Sequence, residues 1–323
     1  MSTAAPVPVT YELEGDDAVE TLREVGLRHL LRDAFIRFRY ADGFSHSRAL
    51  AFQLVLTLLP ALIAVVGLAT VLGQEGFSDV LRETVKDLAP GPASDLLTQA
   101  FEQGSNSGDD DSGNNALLFG GLAAIISAAT AMGQIERGSN RIYGVERDRP
   151  AVRKYATAMA LALTAGSATI LAFILLVPGA SLGKALEDVT GWSDSLDLAW
   201  SIGRWPLGAI LVASAVALLF KASPRRHQPD PSWLLLGSGI TVVLWFAFTG
   251  LLAAYVSASS GFGETYGPLA GMIGLLLWAF LSALALFLGL TVAAQLEAVR
   301  AGQPGPTERD LARNAPNAPE GSS

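Results

Sequence analysis

Six apolar runs divide this chain, at about Ala49–Gly73, Ala116–Gln134, Ala156–Ala180, Trp205–Phe220, Trp233–Val256 and Leu269–Ala294, and none holds an Asp, Glu, Lys or Arg. A bilayer core about 30 Å thick takes roughly 20 apolar residues as a helix. Lipid offers no hydrogen bonds, so the backbone of each run must satisfy itself, which a helix does. Five runs are long enough outright. The fourth, Trp205–Phe220, is short, but Arg204 and Lys221 bound it and can snorkel to opposite interfaces. Half of the residues are hydrophobic and only 16% are charged, against about 25% in an average soluble domain. Too few polar side chains remain to cover a surface in water.

The segments between the runs alternate in charge. Arg23, Arg28, Arg32, Arg37, Arg39 and Arg48 precede the first run, and Arg137, Arg141, Arg147, Arg149, Arg153 and Lys154 follow the second. Lys221, Arg225 and Arg226 follow the fourth, and Arg300, Arg309 and Arg313 the sixth. The other three segments hold only Arg82, Lys86, Lys184 and Arg204 of the 22 basic residues. By the positive-inside rule both termini are cytoplasmic. Omitting the fourth run would break this alternation. The fold class expected is therefore all-α: a polytopic membrane protein of six transmembrane helices, with both termini cytoplasmic.

Composition marks residues 1–17 and 302–323 as disordered tails around a membrane domain at 18–301. Within AVETLREVGLRHLLRDAFIRFRYADG, Val19, Leu22, Leu30, Ala34 and Phe38 alternate with arginines at near-helical spacing. That pattern predicts an amphipathic N-terminal helix along the inner surface; a helix packed on neighbouring loops fits it nearly as well. The stretch GSNSGDDDSGNN at 104–115 reads as a flexible external loop.

Several function classes lose their basis. The chain has no cysteine, and His29, His46 and His227 lie far apart, so no metal centre is expected. No Gly-rich phosphate loop, paired-His motif or nucleophile elbow is present; neither an enzyme nor a cofactor is expected. No ionisable residue sits at mid-membrane, which counts against proton-coupled antiport. A route for a lipid or another amphipath, or a pore lined by hydroxyls and backbone, stays open.

Candidate functional positions are few. Pro60, in TLLPALIAV, removes a backbone hydrogen bond inside the first run and predicts a kink. The second run, GGLAAIISAATAMG, is rich in small residues suited to close helix contact. The turn SGFGETYGPLAG presents Glu264, Tyr266 and Gly267, either as a tight connection or as a re-entrant dip. Asn140, Arg141 and Tyr143 lie in the basic loop ERGSNRIYGVERDRPAVRK. RNA recognition would need several aromatic platforms, and the loop has Tyr143 alone. Anionic lipid headgroups at the cytoplasmic face suit it better. Membrane lipids are the partners expected and nucleic acid is not; the residues permit a homo-oligomer without specifying one.

The stretches RALAFQLVLTLLPAL, NRIYGVERDRP, FKASPRRH and TYGPLAGMIGLLLWAFLSALALFLGLTVAAQLE, in this order, resemble the YihY/BrkB family of bacterial inner-membrane proteins over about residues 30–300. Tyr266, Gly267, Trp278 and Gly289 stand in family-like positions. The resemblance implies residence in the bacterial plasma (inner) membrane and an envelope function, one member being associated with serum resistance and another with lipid A precursor export. It also implies that the family's older label, ribonuclease BN, is a misassignment. One departure stands out: where the family's last span commonly carries Gly-Ala-Glu, this chain has Gly289-Leu290-Thr291. The expectation is a transporter-like protein that moves or organises an envelope lipid or amphipath. The alternative is a non-transporting scaffold that binds protein partners or anionic lipids through its basic loops.

Overall fold

The computed structural model describes residues 4–11, 13–72, 110–176, 191, 193–258 and 269–307. Two short helices, α1 (Gly15–Val25) and α2 (Leu27–Tyr40), precede the long ones. Then come α3 (Gly43–Leu72), α4 (Asp110–Ile142), α5 (Ala151–Leu161), α6 (Ser167–Leu176), α7 (Asp194–Ala222), α8 (Pro231–Ala258) and α9 (Ala270–Arg300). A π-helical turn, Ala162–Gly166, joins α5 to α6 in one rod. Among the described residues the only β pairing is an isolated bridge between Ala4 and Thr307.

Among the described residues, 5 helices are long and apolar enough to cross a membrane: Leu117–Ile142, Ala151–Ala172, Ser195–Ala222, Pro231–Ala258 and Ala270–Arg300. These fall on the second to sixth apolar runs. The first run falls on α3, a helix of 30 residues that continues through Pro60. The short fourth run is part of a helix of 29 residues. Along it Arg204 and Lys221 stand about 25 Å apart at 1.5 Å per residue, near the thickness of a bilayer core.

Two expectations change at the N-terminus. The single amphipathic helix is broken in two by Gly26, whose φ of 80° lies in the left-handed region that glycine adopts without steric cost. Leu30, Ala34 and Phe38 are buried, with α2 packed on α9, while Val19 is exposed. Residues 4–11, expected to be disordered, instead form an ordered strap: Ala4 and Val7 are buried, and Ala5 N–H donates to Pro306 O at 3.2 Å. Short-range composition misses this because the strap's partners are distant in the chain.

The long helices pack mainly in sequence order, α3 on α4, α4 on α5, α6 on α7, α7 on α8 and α8 on α9, and α9 closes the circuit against α3. Helix α9 also touches α1, α2 and α4, which makes it the hub. Its crossing with α8 is tight because both sides are glycine. A Cβ at Gly237 would lie 2.7 Å from Gly289 O, and one at Gly289 would run into Thr241 Oγ1 and Gly237 O. Close backbone approach of this kind is what small residues allow between helices in lipid. Gly138 of α4 admits the Phe287 ring in the same way.

Burial is unevenly spread along the rods. Every residue from Gly289 to Ala298 of α9 is buried, as are most from Ala129 to Tyr143 on α4 and from Ala215 to Phe220 on α7. In α8 the buried residues are Trp233, Leu234, Gly237, Ser238, Thr241 and Val242, all in its first half. These positions share one end of the bundle, the end carrying Arg37, Arg149 and Arg226. Toward the other end, Leu118, Phe119, Leu122, Leu198, Ile202, Leu251 and Tyr255 are exposed. The longest buried stretches thus sit at the basic end, while toward the other end burial is confined to scattered small contacts such as Ala172, Leu176 and Ala270.

Candidate functional site

The basic end is closed by two linked polar clusters. The first centres on Arg226, in the α7–α8 turn, and Glu297, on the last turns of α9. Arg226 Nη2 and Nη1 donate to Glu297 Oε1 and Oε2 at 2.6 and 3.2 Å, with side chains only 5% and 0% exposed. Thr10 of the strap donates to the same Oε1 at 2.6 Å. The Arg226 guanidinium also lies 4.6 Å from the centre of the Tyr143 ring. Arg37 of α2 completes the cluster, donating to Gln295 Oε1 (2.8 Å), Ala5 O (2.6 Å) and Ile142 O (3.2 Å). Gln295 in turn donates to Pro304 O at 2.7 Å.

Among the described residues this cluster holds more positive than negative charge. Arg37 is fully buried and its hydrogen bonds go to neutral acceptors, and the carboxylate acting on it is Glu297, already paired with Arg226. Burial lowers the Arg37 pKa to about 10, against smaller raising effects from Tyr143 and Glu297. Burial also pushes the Tyr143 phenol up, with Glu297 adding to the effect and the two arginines opposing it. Tyr143 is therefore a neutral hydroxyl at any physiological pH.

The second cluster ties α4, its following loop and the α7–α8 turn. Glu136 receives Arg149 twice, from the backbone N–H and from Nη1, each at 3.1 Å. Arg149 then donates to the carbonyls of Ala222, Ser223 and Pro224 at the end of α7, where helix carbonyls lack intrahelical partners. Asn140 bridges the two segments, donating to Asp148 Oδ1 at 2.9 Å and accepting Arg225 N–H at 2.7 Å. Partial burial would raise the Asp148 carboxyl, but hydrogen bonds from Asn140 and Lys154 outweigh it and hold it below the ordinary range.

The structure brings together two of the positions singled out by sequence, Asn140 and Tyr143, one in each cluster. Arg141 donates to Glu146 O at 3.1 Å. Pro60 stands on α3, in the apolar part of that helix rather than in either cluster. Glu264, Tyr266 and Gly267 lie outside the described residues. Thr291 is buried and donates to Phe287 O of its own helix at 2.5 Å, so it needs no partner elsewhere. Sequence reading missed Arg37, Glu136, Arg149, Arg226 and Glu297. The available signal was the position of Glu136 and Glu297, single acids at the basic ends of apolar helices. Among the described residues no group of three or more His, Cys, Asp or Glu could hold a metal ion.

A bundle of apolar spanning-length helices, latched at one end by buried ion pairs, defines a polytopic membrane protein. Residues 34–314 match the family described as Virulence factor BrkB, and the chain belongs to that family. Among its relatives is the ribonuclease-like protein YfkH of Bacillus subtilis, 27% identical over 82% of this chain and 94% of YfkH. UPF0761 membrane proteins of Halorhodospira halophila and Bordetella petrii are 26% and 27% identical over 74% and 79% of this chain. The chain spans about half the length of those two, 50% and 54%. No solved structure matches it.

Proposed function

We propose that this is a six-span bacterial inner-membrane protein that moves or organises an envelope lipid or amphipath. In this reading α3 is the sixth spanning helix and the basic end faces the cytoplasm. The supporting observation is the uneven burial of the bundle. One end is sealed by the packed core and its ion pairs, while Leu118, Phe119, Leu198, Ile202, Leu251 and Tyr255 stand exposed toward the other. A translocator closed at one face and open to lipid at the other has this character. The π-helical turn at Ala162–Gly166 adds to it, since such turns mark places where a helix departs from regular packing, often at functional sites. The reading contains no enzymatic step, and the ribonuclease-like name of YfkH is not carried to this chain.

The test is translocation by purified protein in liposomes, with labelled lipid and a membrane-impermeant quencher. Loss of inner-leaflet signal above that of empty vesicles, reduced by Pro60→Ala, is the expected result. Loss equal to empty vesicles, across neutral and anionic lipids, refutes transport. The scaffold reading would then take its place, with exposed Arg147, Val152 and Arg153 at the basic end as its contact surface.

A further inference from the structure

The strap at the basic end covers a set of buried hydrogen-bonding groups that the protein leaves unmatched. Arg37 Nη2 and Arg226 Nε are buried without a hydrogen-bond partner, and Tyr143 Oη and the two amide atoms of Gln228 have none beyond each other. They belong to one neighbourhood: Arg226 lies over the Tyr143 ring, and Arg37, Gln228 and Glu297 all act on the Tyr143 phenol. Four of these five atoms are donors. Among the described residues two guanidinium groups face one carboxylate, so a positive charge is left over in a buried place. Native interiors pair their buried charges and satisfy nearly all their buried donors. A cluster that does neither is suited to receive an anion.

The strap occupies the approach. Arg37 Nη1 donates to Ala5 O at 2.6 Å and Arg226 Nη2 to Pro8 O at 3.0 Å. Val7 N–H donates to Tyr143 O at 3.1 Å, and Thr10 holds Glu297. The Tyr11 ring stacks on His227 at 4.8 Å, and Leu13 O accepts Asp230 N–H at 3.2 Å. Backbone carbonyls are the weaker acceptors for a guanidinium; phosphate oxygens, charged and fork-shaped, are the stronger.

We propose that residues 4–11 are a latch over an anion site of the phosphate class, formed by Arg37, Arg226 and Tyr143. The carbonyls of Ala5 and Pro8 stand where phosphate oxygens bind once the latch lifts. Opening exposes the unmatched donors, and a phosphate group, free or on a lipid headgroup, competes with the strap for them. The inference deepens the transport reading by supplying a recognition site and its gate. Its test reads binding without any flux, so the two fail separately.

The chain has no cysteine, so Val7→Cys introduces a single thiol, at a position only 6% exposed. The full-length variant in phosphatidylcholine nanodiscs, in chloride at fixed ionic strength, is treated with an impermeant maleimide. Slow labelling is expected, accelerated about tenfold either by inorganic phosphate or by phosphatidylglycerol nanodiscs in phosphate-free buffer, the displacement of one or two strap hydrogen bonds being worth about that factor. The arm that responds assigns the source, a free anion or a headgroup. Arg37→Met and the shape-conserving Tyr143→Phe, each added to Val7→Cys, should abolish or weaken the response. Rapid labelling without anion, no response in either arm, or an equal response in both added variants overturns the proposal.

Discussion

Removing the Glu297 carboxylate is the most informative single perturbation of this bundle. The group is fully buried, takes two bonds from Arg226 at 2.6 and 3.2 Å, and takes a third from Thr10 at 2.6 Å. Glu297→Ala leaves Arg226 without an ionic partner beside Arg37, and leaves the Thr10 hydroxyl without its acceptor. Breaking a buried pair from one side costs about 3–5 kcal/mol, because the remaining charge stays desolvated. At 1.4 kcal/mol per factor of ten, the unfolded population should rise by roughly 10²- to 10⁴-fold. Replacing both partners, Arg226→Met with Glu297→Leu, removes the stranded charge and should recover most of the loss. The shortfall is the cation–π contact with Tyr143, about 0.5–2 kcal/mol, together with the Thr10 hydroxyl and Pro8 carbonyl left without their partners. Unfolding by sodium dodecyl sulfate in mixed micelles, followed by far-ultraviolet circular dichroism, gives the three free energies of the cycle. A single-variant cost under about 1 kcal/mol, the value of an exposed pair, would refute the reasoning. So would a double variant at the sum of the singles.

Three further outcomes are expected. Gly289→Ala drives a methyl into Thr241 and the Gly237 carbonyl and should cost about 1–3 kcal/mol by overpacking, whereas Gly239→Ala, with open space around it, should be neutral or stabilising; equal effects in the same unfolding assay reject the tight crossing. Arg149→Met strands the buried Glu136 and frees three carbonyls at the end of α7, a loss of about 3–5 kcal/mol, while exposed Arg147→Ala should stay within about 0.5 kcal/mol. Asp148 has its folded pKa held below the ordinary value of 3.8, so the folded state binds its proton less readily than the unfolded chain does. Its stabilisation is complete above that ordinary value and is lost as pH falls below it through the folded value; Asp148→Asn should flatten the acid limb of melting temperature against pH, and an unchanged limb would exclude this source.

Much of the architecture was legible from residue order. Apolar runs and the spacing of Lys and Arg located the second to sixth spanning-length helices. The fifth run falls within two residues of α8 at each end, whereas α7 begins at Asp194, well before the fourth run, and α4 and α9 continue past the basic ends of the second and sixth. Helix α4 continues to Ile142 rather than Gln134, because Glu136, Ser139 and Asn140 find partners across the bundle that make their burial tolerable. Asn140 and Tyr143 were recognised only as members of a basic loop, and their separate roles in two clusters were invisible there. The strap was misread for a related reason. Pro, Ala and Val in a short N-terminal stretch carry no periodic signal, and its order comes from Arg37, Tyr143, Arg226 and Glu297.

The sequence by itself determined that the chain forms membrane helices and which segments carry the basic residues. Hydropathy and charge are sums over neighbouring residues, so they can be read along one dimension. Only the tertiary structure decided how the basic residues are used. Arg226 and Glu297 are 71 positions apart, Arg37 and Gln295 258, and Thr10 and Glu297 287. An arginine in a basic segment has the same local chemistry whether it faces headgroups or a buried carboxylate. What separates Arg147 in solvent from Arg149 against Glu136 is the packing of α4, α7 and α9 around the site. That packing brings carboxylates and helix-end carbonyls to one arginine and leaves its neighbour in solvent.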